Sequence, residues 1–241
     1  MTINLRVWWD HANNELAEVS TQNELAARLV SLSAALNFEF FSVVFRQSLP
    51  GTQIQELALS NYPENWLKRY RERGYSKIDP VLKQGLRTRS LVVWSDNLFA
   101  RAATLWEEAR MAGLSVGMSQ CAWSRGGAYA ILSLARGTDP LEASAVNELQ
   151  PYMRLLSDLI ASKFQEIVEQ MQPRPSHARL TEREIEVLRW SADGKKAFEL
   201  AMILGVSEST VNFHLHNARR KLGVRNKSQA ATYAARLGMF D

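Results

Sequence analysis

Apolar residues recur at helical spacing in two long stretches of the chain. In the first, Leu25, Leu29, Leu32 and Leu36 follow one another at intervals of three and four residues. An apolar stripe with this period covers one face of an α-helix. The pattern therefore predicts an amphipathic helix over about residues 13–36.

The second helical stripe lies near the middle of the chain and predicts a long helix over about residues 142–171. Its apolar positions are Leu156, Leu159, Ile160, Phe164, Ile167, Val168 and Met171. Pro151 falls inside this span, which predicts either a kink or a first turn that begins at the proline. Such a helix fits two uses, packing on its own domain or contacting a second subunit.

Five short segments rich in aromatic and β-branched residues predict the strands of a sheet. They are Phe38–Arg46, Gln53–Leu59, Leu91–Trp94, Met118–Trp123 and Ala128–Ala135, with helical patches at about 64–73 and 102–112. The last two segments are joined by Ser-Arg-Gly-Gly, a hairpin connection that makes this pair antiparallel. We therefore expect an α+β fold, with an N-terminal α/β/α sandwich around an antiparallel sheet.

The last 60 or so residues show a purely helical pattern. Thr181 followed by Glu184 is a capping box that opens a first helix. A second short helix at about 196–203 closes at Gly205, and Ser207 then caps a third. A helix, a tight glycine turn, a serine cap and a new helix form the helix-turn-helix arrangement. A fourth, alanine-rich helix is expected at about 227–237, which completes an all-α four-helix domain.

The third of these helices, from Ser207 to about Leu222, is expected to bury Val211, Leu215 and Ala218. The polar side chains between them are suited to DNA, because amides and hydroxyls reach base edges while lysine and arginine reach phosphates. The candidate DNA-binding residues are Lys195, Lys196, Ser207, Thr210, Asn212, His214, Asn217, Arg220 and Lys221.

Charge and proline content divide the chain at the same place. Residues 173–241 hold 12 Lys and Arg against 7 Asp and Glu, a net charge of +5, while the rest of the chain carries −1. This asymmetry indicates a basic module whose partner is a polyanion. Pro173 and Pro175 forbid a continuing helix and favour an extended spacer. We expect an N-terminal domain over 1–171, a linker over 172–178 and a DNA-binding domain over 179–241.

Composition excludes several classes of protein. The chain has 241 residues, of which 46% are apolar and 22% charged. This composition is typical of a globular protein and excludes a disordered or fibrous one. The sequence contains no run of 18 or more apolar residues, so it predicts no membrane span. Its first residues lack the apolar core of a signal peptide. The single cysteine, Cys121, can form neither an internal disulfide nor a zinc site with the scattered histidines. We expect a cytoplasmic protein with no metal or membrane association.

The motifs of the C-terminal domain are similar to those of one family. They are Leu-Thr-Glu-Arg-Glu-Ile-Glu-Val-Leu-Arg-Trp, Ser-Glu-Ser-Thr-Val-Asn-Phe-His and Arg-Lys-Leu-Gly-Val-Arg-Asn-Lys. Over about 60 residues the chain resembles the DNA-binding domain of the LuxR family of transcription regulators. It departs from the family pattern at Lys196-Ala197-Phe198, where a small polar residue is more usual, and this adds a positive charge near DNA.

The N-terminal part resembles the autoinducer-binding domain of quorum-sensing LuxR regulators. The motifs are Asn61-Tyr62-Pro63-Glu64-Asn65-Trp66, Ile78-Asp79-Pro80, Val93-Trp94-Ser95, Leu105-Trp106-Glu107-Glu108-Ala109 and Leu132-Ser133-Leu134-Ala135-Arg136. A phosphoreceiver input is disfavoured, because its acidic cluster cannot be placed on the predicted strands. The resemblance implies an acyl-homoserine lactone as ligand without any cofactor. It also implies a homodimer on a palindromic promoter, an activator role and contact with RNA polymerase.

An acyl-homoserine lactone offers one amide N–H, two carbonyl oxygens and an apolar tail. By the resemblance, Asp79 would accept the amide N–H, and Trp66 would donate to the lactone carbonyl. The hydroxyls of Tyr62 and Ser133 would donate to the acyl carbonyl. The expected walls are Tyr70, Trp94, Phe99, Trp106, Ala109 and Leu114, with Ser42 and Val44 on the acyl side. Val81 stands where some relatives have a hydroxyl residue, so one ligand hydrogen bond is expected to be missing.

Each of these residues also has a purely structural interpretation. Taken alone, an aromatic residue is more often part of a core than a ligand wall. Asp79 before a proline fits a plain helix cap, and Ser133 in a strand fits a structural role. The binding hypothesis depends on four polar groups matching the family pattern together.

Two other functions stay open at this point. One is a LuxR-type regulator that needs no lactone or that reads another small molecule. The other is a lactone hydrolase, since Gly113-Leu114-Ser115-Val116-Gly117 matches the Gly-x-Ser-x-Gly pattern. A nucleophile elbow needs a strand before the serine and a helix after it, whereas the order predicted here is the reverse. Replacing Ser115 distinguishes a hydrolase from a regulator, because only a hydrolase would lose its effect on the lactone. The sequence leaves open the length of the acyl chain, the operator sequence and whether the protein activates or represses. It also leaves open whether a cognate synthase exists and whether the ligand is required for folding or dimerisation.

Overall fold

The structure is a computed structural model that describes residues 4–48, 54–88, 90–171, 180–236 and 238–240. The chain divides into two compact units, and each is described by itself. Within the described residues no helix is both long and apolar enough to cross a membrane. Cys121 is buried in its strand, where burial raises the pKa of the thiol to about 11.

The N-terminal unit contains a five-stranded sheet and six helices among the described residues. In chain order these are α1 (Leu5–Ala17), α2 (Gln22–Ala35), β1 (Phe40–Ser48), β2 (Ile54–Ser60), α3 (Glu64–Glu72), α4 (Pro80–Gly85), β3 (Val92–Val93), α5 (Ala103–Met111), β4 (Val116–Trp123), β5 (Tyr129–Arg136) and α6 (Ala143–Met171). The strand order is β2-β1-β5-β4-β3, and β1 with β5, β4 with β5 and β3 with β4 pair antiparallel. The α+β fold and all five strand segments predicted from the sequence are confirmed.

Helices cover both faces of this sheet. On one face, Phe45 of β1 stacks on Phe164 of α6, with ring centroids 5.2 Å apart. Trp8 of α1 meets Tyr152 of α6 edge-on at 5.0 Å, so α1 and α6 belong to the same layer. On the other face, aromatic and aliphatic side chains of α3, α4 and α5 form a second core cluster. Because side chains alternate along a strand, β1 contributes to both layers.

The N-terminal helix differs from its prediction. The helix expected over 13–36 is two helices, α1 and α2, and the prediction of one helix is wrong. The break is set by a capping box at Thr21, whose hydroxyl accepts the backbone N–H of Glu24 while the Glu24 carboxylate accepts that of Thr21. The predicted stripe itself is buried, since Leu25, Leu29 and Leu32 are fully covered.

Helix α6 follows its predicted span. Pro151 lies inside it with helical residues on both sides, so the alternative in which the helix begins at the proline is wrong. Leu156, Ile160, Phe164 and Ile167 are buried within the N-terminal unit. The apolar stripe of α6 therefore packs on its own domain.

The C-terminal unit contains four helices, α7 (Glu182–Ala192), α8 (Ala197–Leu204), α9 (Glu208–Leu222) and α10 (Lys227–Arg236). The predicted capping box at Thr181 and Glu184 is present, and Ser207 accepts the backbone N–H of Thr210 at 3.1 Å. Gly205 ends α8 in the left-handed region at φ +64°, which favours glycine. The predicted linker over 172–178 lies outside the described residues, so the domain boundaries stay a prediction.

Candidate ligand cavity and DNA-binding surface

The N-terminal unit encloses a cavity of about 860 Å³. It is lined from the sheet by β1, β2 and β5 and from the opposite side by α3, α4 and α5. The lining includes all twelve residues that the sequence assigned to a ligand: Ser42, Val44, Tyr62, Trp66, Tyr70, Asp79, Trp94, Phe99, Trp106, Ala109, Leu114 and Ser133. The structure thus brings the predicted set together, while its role in binding stays a prediction.

Three strands contribute every second side chain to the lining of the cavity, because successive side chains of a strand point to opposite faces of the sheet. These residues are Ser42, Val44 and Arg46 on β1, Glu56, Ala58 and Ser60 on β2, and Tyr129, Ile131 and Ser133 on β5. Sequence reasoning found three of the nine. The alternation of residues along each strand is the signal that identifies the other six.

Asp79 is the acceptor at the centre of the site. Its Oδ1 accepts the backbone N–H of Val81 at 2.8 Å and caps α4, and its Oδ2 accepts the hydroxyl of Tyr70 at 2.7 Å. Burial raises the pKa of Asp79, and these two hydrogen bonds oppose that rise. Asp79 is therefore a helix cap that also lines the cavity, while its role as an acceptor for a ligand stays a prediction.

Tyr62 places a hydroxyl in the cavity that forms no hydrogen bond with any described residue. Burial, with a further contribution from the charge of Asp79, raises the pKa of Tyr62 and of Tyr70, so both hydroxyls keep their protons. A buried hydroxyl without a partner costs about 1–3 kcal/mol. The Tyr62 hydroxyl therefore marks a position that a polar atom of a ligand would satisfy.

Trp66 and Tyr70 lie one turn apart on α3 and meet edge-on, with ring centroids 5.8 Å apart. Trp66 also contacts the ring of Tyr75 at 6.1 Å, which fixes the orientation of its indole. The indole N–H of Trp66 has no acceptor among the described residues, and Trp66 lines the cavity. Trp66 is thus a positioned donor.

The other two tryptophans of the lining use their N–H groups inside the protein. Trp94 Nε1 donates to Ser119 Oγ at 2.9 Å, and Trp106 Nε1 donates to Asp96 Oδ1 at 2.6 Å. Phe99 stacks on Trp106, with ring centroids 4.6 Å apart. These rings offer the cavity an apolar surface, as expected of its walls.

An ion pair outside the lining holds the helical layer together. The Glu108 carboxylate accepts two hydrogen bonds from the Arg69 guanidinium, at 2.9 and 3.0 Å, and one from the Tyr75 hydroxyl at 2.8 Å. These bonds lower the pKa of Glu108 to about 2. They join α3 to α5, which carry Trp66 and Trp106 on the cavity side.

The surface of α9 contains the candidate DNA-binding residues. Its solvent-exposed positions lie on the side of the helix opposite the buried Val211, Leu215 and Ala218 and are Glu208, Ser209, Asn212, Phe213, His216 and Arg220. Asn212 and Arg220 were predicted, whereas Glu208, Ser209, Phe213 and His216 were missed although the helical period gives them. The predicted Thr210, His214 and Asn217 flank this stripe and are half-buried.

Lys221 is engaged inside the domain. Its Nζ lies 2.8 Å from Glu184 Oε2, and the Glu184 side chain is only 4% exposed. The hydroxyl of Ser207 is likewise used by the cap of α9. Lys196 is exposed and Lys195 half-buried at the start of α8. Of the predicted cations, Lys196 and Arg220 face solvent most openly.

The chain is similar to known proteins over its full length. Residues 21–164 match the family model of the autoinducer binding domain, and residues 178–234 match that of the bacterial regulatory proteins of the luxR family. The quorum-sensing regulator RhlR of Pseudomonas aeruginosa is 35% identical over 234 residues, 97% of each chain. The chain belongs to the LuxR family of quorum-sensing transcription regulators.

Solved structures of the LuxR family share the fold of both units. The crystal structure of Escherichia coli SdiA is 31% identical with a TM-score of 0.82 and covers 99% of this chain and 100% of its own. A structure of SdiA in complex with octanoyl-rac-glycerol, also 31% identical, has a TM-score of 0.79 and covers 100% of this chain and 98% of its own. These relatives are transcription regulators.

The placement of Ser115 agrees with a regulator of the LuxR family and argues against a nucleophile elbow. Ser115 lies between the end of α5 and the start of β4, so a helix precedes it and a strand follows. An elbow requires the reverse order. At the departure from the LuxR pattern, the backbone N–H of Lys196 bonds to Glu199 at 2.7 Å, so α8 keeps a capped start, and Phe198 is 51% exposed.

Proposed function

We propose that the protein is a ligand-dependent transcription factor whose cavity binds an N-acyl-homoserine lactone. One observation carries the proposal: the acceptor Asp79 and the donors Tyr62, Trp66 and Ser133 line one cavity together with apolar walls such as Phe99 and Leu114. A lactone presents the complementary set, one donor and two acceptors on an apolar body. Binding sites for small molecules are typically of this kind, apolar with a few convergent polar groups.

Each polar group of the ligand is assigned a partner by its donor or acceptor character. The amide N–H donates to the Asp79 carboxylate, which keeps acceptor capacity beyond its bonds to Tyr70 and Val81. The indole N–H of Trp66 donates to the lactone carbonyl. The Tyr62 hydroxyl, which has no described partner, donates to the acyl carbonyl.

The size of the cavity fits a head group with an acyl tail. Its volume of about 860 Å³ exceeds what the lactone ring and amide require, and Ser42, Val44 and Val81 are also part of its lining. A ligand that binds only the native state stabilises it by mass action. Binding of the lactone is therefore expected to raise the stability of the N-terminal domain, which we assign to residues 1–171.

The DNA-binding step follows from the exposed stripe of α9 and the net charge of +5 over residues 173–241. Asn212 and Arg220 would contact base edges and phosphates in the major groove. As a homodimer, the protein would place two α9 helices on a palindromic site, whose symmetry mirrors that of the dimer. We expect it to act in the cytoplasm as an activator that contacts RNA polymerase.

The function is tested by selection from a random pool of double-stranded DNA, with and without N-octanoyl-homoserine lactone. The proposal predicts that the lactone enriches a palindromic sequence and that sedimentation shows a dimer in the same samples. Enrichment of the same sequence without any lactone would show a ligand-independent regulator. A selected sequence without internal symmetry, bound by a monomer, would contradict the dimer.

A second candidate ligand class is a monoacylglycerol, because the SdiA complex that resembles this chain contains octanoyl-rac-glycerol. A glycerol hydroxyl can donate to Asp79, but the molecule has no amide N–H and one carbonyl oxygen where a lactone has two. Competition in equilibrium dialysis between N-octanoyl-homoserine lactone and 1-octanoyl-rac-glycerol distinguishes them. The lactone proposal predicts tighter binding of the lactone, and preference for the glycerol ester would overturn it.

A further inference from the structure

Three serines lie side by side across the sheet beneath the cavity. Ser42 of β1 pairs with Ser133 of β5, and Ser133 pairs with Ser119 of β4. Ser42 and Ser133 line the cavity, whereas Ser119 is 1% exposed and lies outside the lining. The Oγ atoms of Ser119 and Ser133 are 2.8 Å apart. Ser119 is thus a buried hydrogen-bond partner of Ser133.

The hydrogen bond from Trp94 fixes the direction of this connection. An indole N–H only donates, so Ser119 Oγ is the acceptor in the 2.9 Å bond from Trp94 Nε1. The hydroxyl of Ser119 keeps one hydrogen, and Ser133 Oγ is its hydrogen-bond partner among the described residues. If Ser133 donated instead, the buried hydrogen of Ser119 would lose its partner, at a cost of about 1–3 kcal/mol. Ser119 therefore donates to Ser133.

Ser133 then has its own hydrogen left, and its side chain faces the cavity. We infer that Trp94 and Ser119 position the hydroxyl of Ser133 as a hydrogen-bond donor toward the cavity, where the acyl carbonyl that the family resemblance assigns to Ser133 would accept it. This inference rests on the proposed function. In it, Trp94 is a positioning residue for Ser133 as well as a part of the wall.

Gly117 allows Trp94 to take this position. A Cβ atom at residue 117 would lie 2.5–2.8 Å from three ring atoms of Trp94, closer than real Cβ contacts occur. The backbone N–H of Trp94 also donates to the carbonyl oxygen of Gly117 at 2.9 Å. The indole therefore lies flat on β4 at a glycine, with its N–H directed at Ser119, two residues further along the strand. This gives the second glycine of the Gly-x-Ser-x-Gly pattern a structural reason.

The donor direction has a consequence for recognition. A hydroxyl at Ser133 that is fixed as a donor favours a ligand with a hydrogen-bond acceptor at this position, such as a carbonyl oxygen. It disfavours a ligand with a donor there. A hydroxyl that can rotate freely would accommodate both. The chain from Trp94 to Ser133 would therefore contribute specificity for the acyl carbonyl in addition to affinity.

The test is a double-mutant cycle on the full chain, with binding of N-octanoyl-homoserine lactone measured by equilibrium dialysis. The variants are Trp94→Phe, Ser133→Ala and the double variant. Each single change is expected to weaken binding about tenfold, the effect of one lost hydrogen bond. The double variant is expected to bind only slightly more weakly than Ser133→Ala, because Trp94 acts through Ser133 and phenylalanine keeps an aromatic ring in the wall. Losses that multiply to about 100-fold would overturn the inference.

Trp106→Phe is the matched control, since Trp106 also lines the cavity and also donates its indole N–H, but to Asp96. Its effect should multiply with that of Ser133→Ala. If it is instead coupled as strongly as Trp94→Phe, the coupling reflects general loosening and the inference is overturned. Ser119→Ala interrupts the same chain with a smaller change, and it replaces Trp94→Phe if that variant does not fold.

The cycle also separates this inference from the proposed function. If the wild-type protein does not bind the lactone, both fall together. If it binds and the losses of Trp94→Phe and Ser133→Ala multiply, the proposed function stands and only the positioning role of Trp94 is overturned.

Discussion

The cavity and the exposed face of α9 both carry polar side chains that we propose take part in recognition, but they hold these side chains in opposite ways. In the cavity, Asp79 is fixed by Tyr70 and Val81, and Ser133 by Ser119. On α9, Asn212 and Arg220 extend from a helix into solvent. The protein therefore has an arrangement of fixed donors and acceptors in the cavity and solvent-exposed polar side chains on α9.

This difference determines how each site responds to change. Hydrogen bonds in a buried site are strengthened by the low local dielectric, and a buried group that loses its partner is costly. Charges at the surface of α9 are screened by salt, and their contributions to DNA binding are spread over many contacts. Single substitutions should therefore act strongly and specifically in the cavity and more weakly on α9.

The largest effect is expected for Asp79→Asn. The amide keeps one acceptor oxygen but turns the other into a donor, so either the Tyr70 hydroxyl or the ligand N–H meets a donor. Binding of N-octanoyl-homoserine lactone should weaken by about 100-fold, measured by equilibrium dialysis. Asp96→Asn, which alters an acceptor of an indole N–H outside the lining, should change affinity little. Equal losses for the two variants would remove the special role of Asp79.

The next effect tests whether Lys221 belongs to the interior. Lys221→Ala leaves the buried Glu184 without its cation and should lower the free energy of unfolding by on the order of 2 kcal/mol, read from denaturant unfolding. Arg220→Ala, at the neighbouring position, is the control and should leave stability nearly unchanged. Equal stability of the two variants would place Lys221 back among the DNA contacts.

Arg220→Ala should act on DNA instead. We expect DNA binding to weaken by a few-fold, with the slope of log affinity against log salt reduced by about one, as for the loss of one phosphate contact. Arg183→Ala removes an exposed arginine of α7 and controls for net charge alone. An unchanged slope for Arg220→Ala would move the phosphate contact elsewhere.

The smallest effect concerns the layer above the cavity. Because the folded pKa of Glu108 is lowered to about 2 from an ordinary value of 4.5, its bonds to Arg69 and Tyr75 contribute full stability above that ordinary value. The contribution is lost as the pH falls through about 2. Glu108→Gln should therefore destabilise the protein at neutral pH, and the difference from wild type should shrink in acid. Glu107→Gln, a change at an exposed neighbour on α5, is the control and should leave thermal unfolding at neutral pH nearly unchanged.

Local patterns in the sequence predict much of this fold. Segments rich in aromatic and β-branched residues predicted the five strands, and the caps at Thr181 and Ser207 predicted the starts of α7 and α9. The boundary between α1 and α2 was also available as the Thr21 and Glu24 capping box, but the leucine stripe concealed it. Errors of this kind arise where two local signals overlap.

The pairings inside each site could not be predicted, because their partners are distant in the chain. Trp94 and Ser119 are 25 residues apart in the chain and are brought together by the pairing of β3 with β4. Lys221 and Glu184 are 37 residues apart in the chain. Such contacts depend on strand register and helix packing, which local periodicity does not contain. The sequence therefore predicts which residue types gather at the cavity, and the structure shows which of them have partners.

The most direct test of the account is to identify what the folded protein retains. The full chain is expressed in cells that make no lactone but are supplied with a mixed panel of acyl-homoserine lactones, and the purified protein is analysed by mass spectrometry. The account predicts that wild type releases a lactone while Asp79→Asn releases far less. A well-folded wild-type protein that retains no member of the panel would contradict the proposed ligand and leave the DNA-binding domain unaffected.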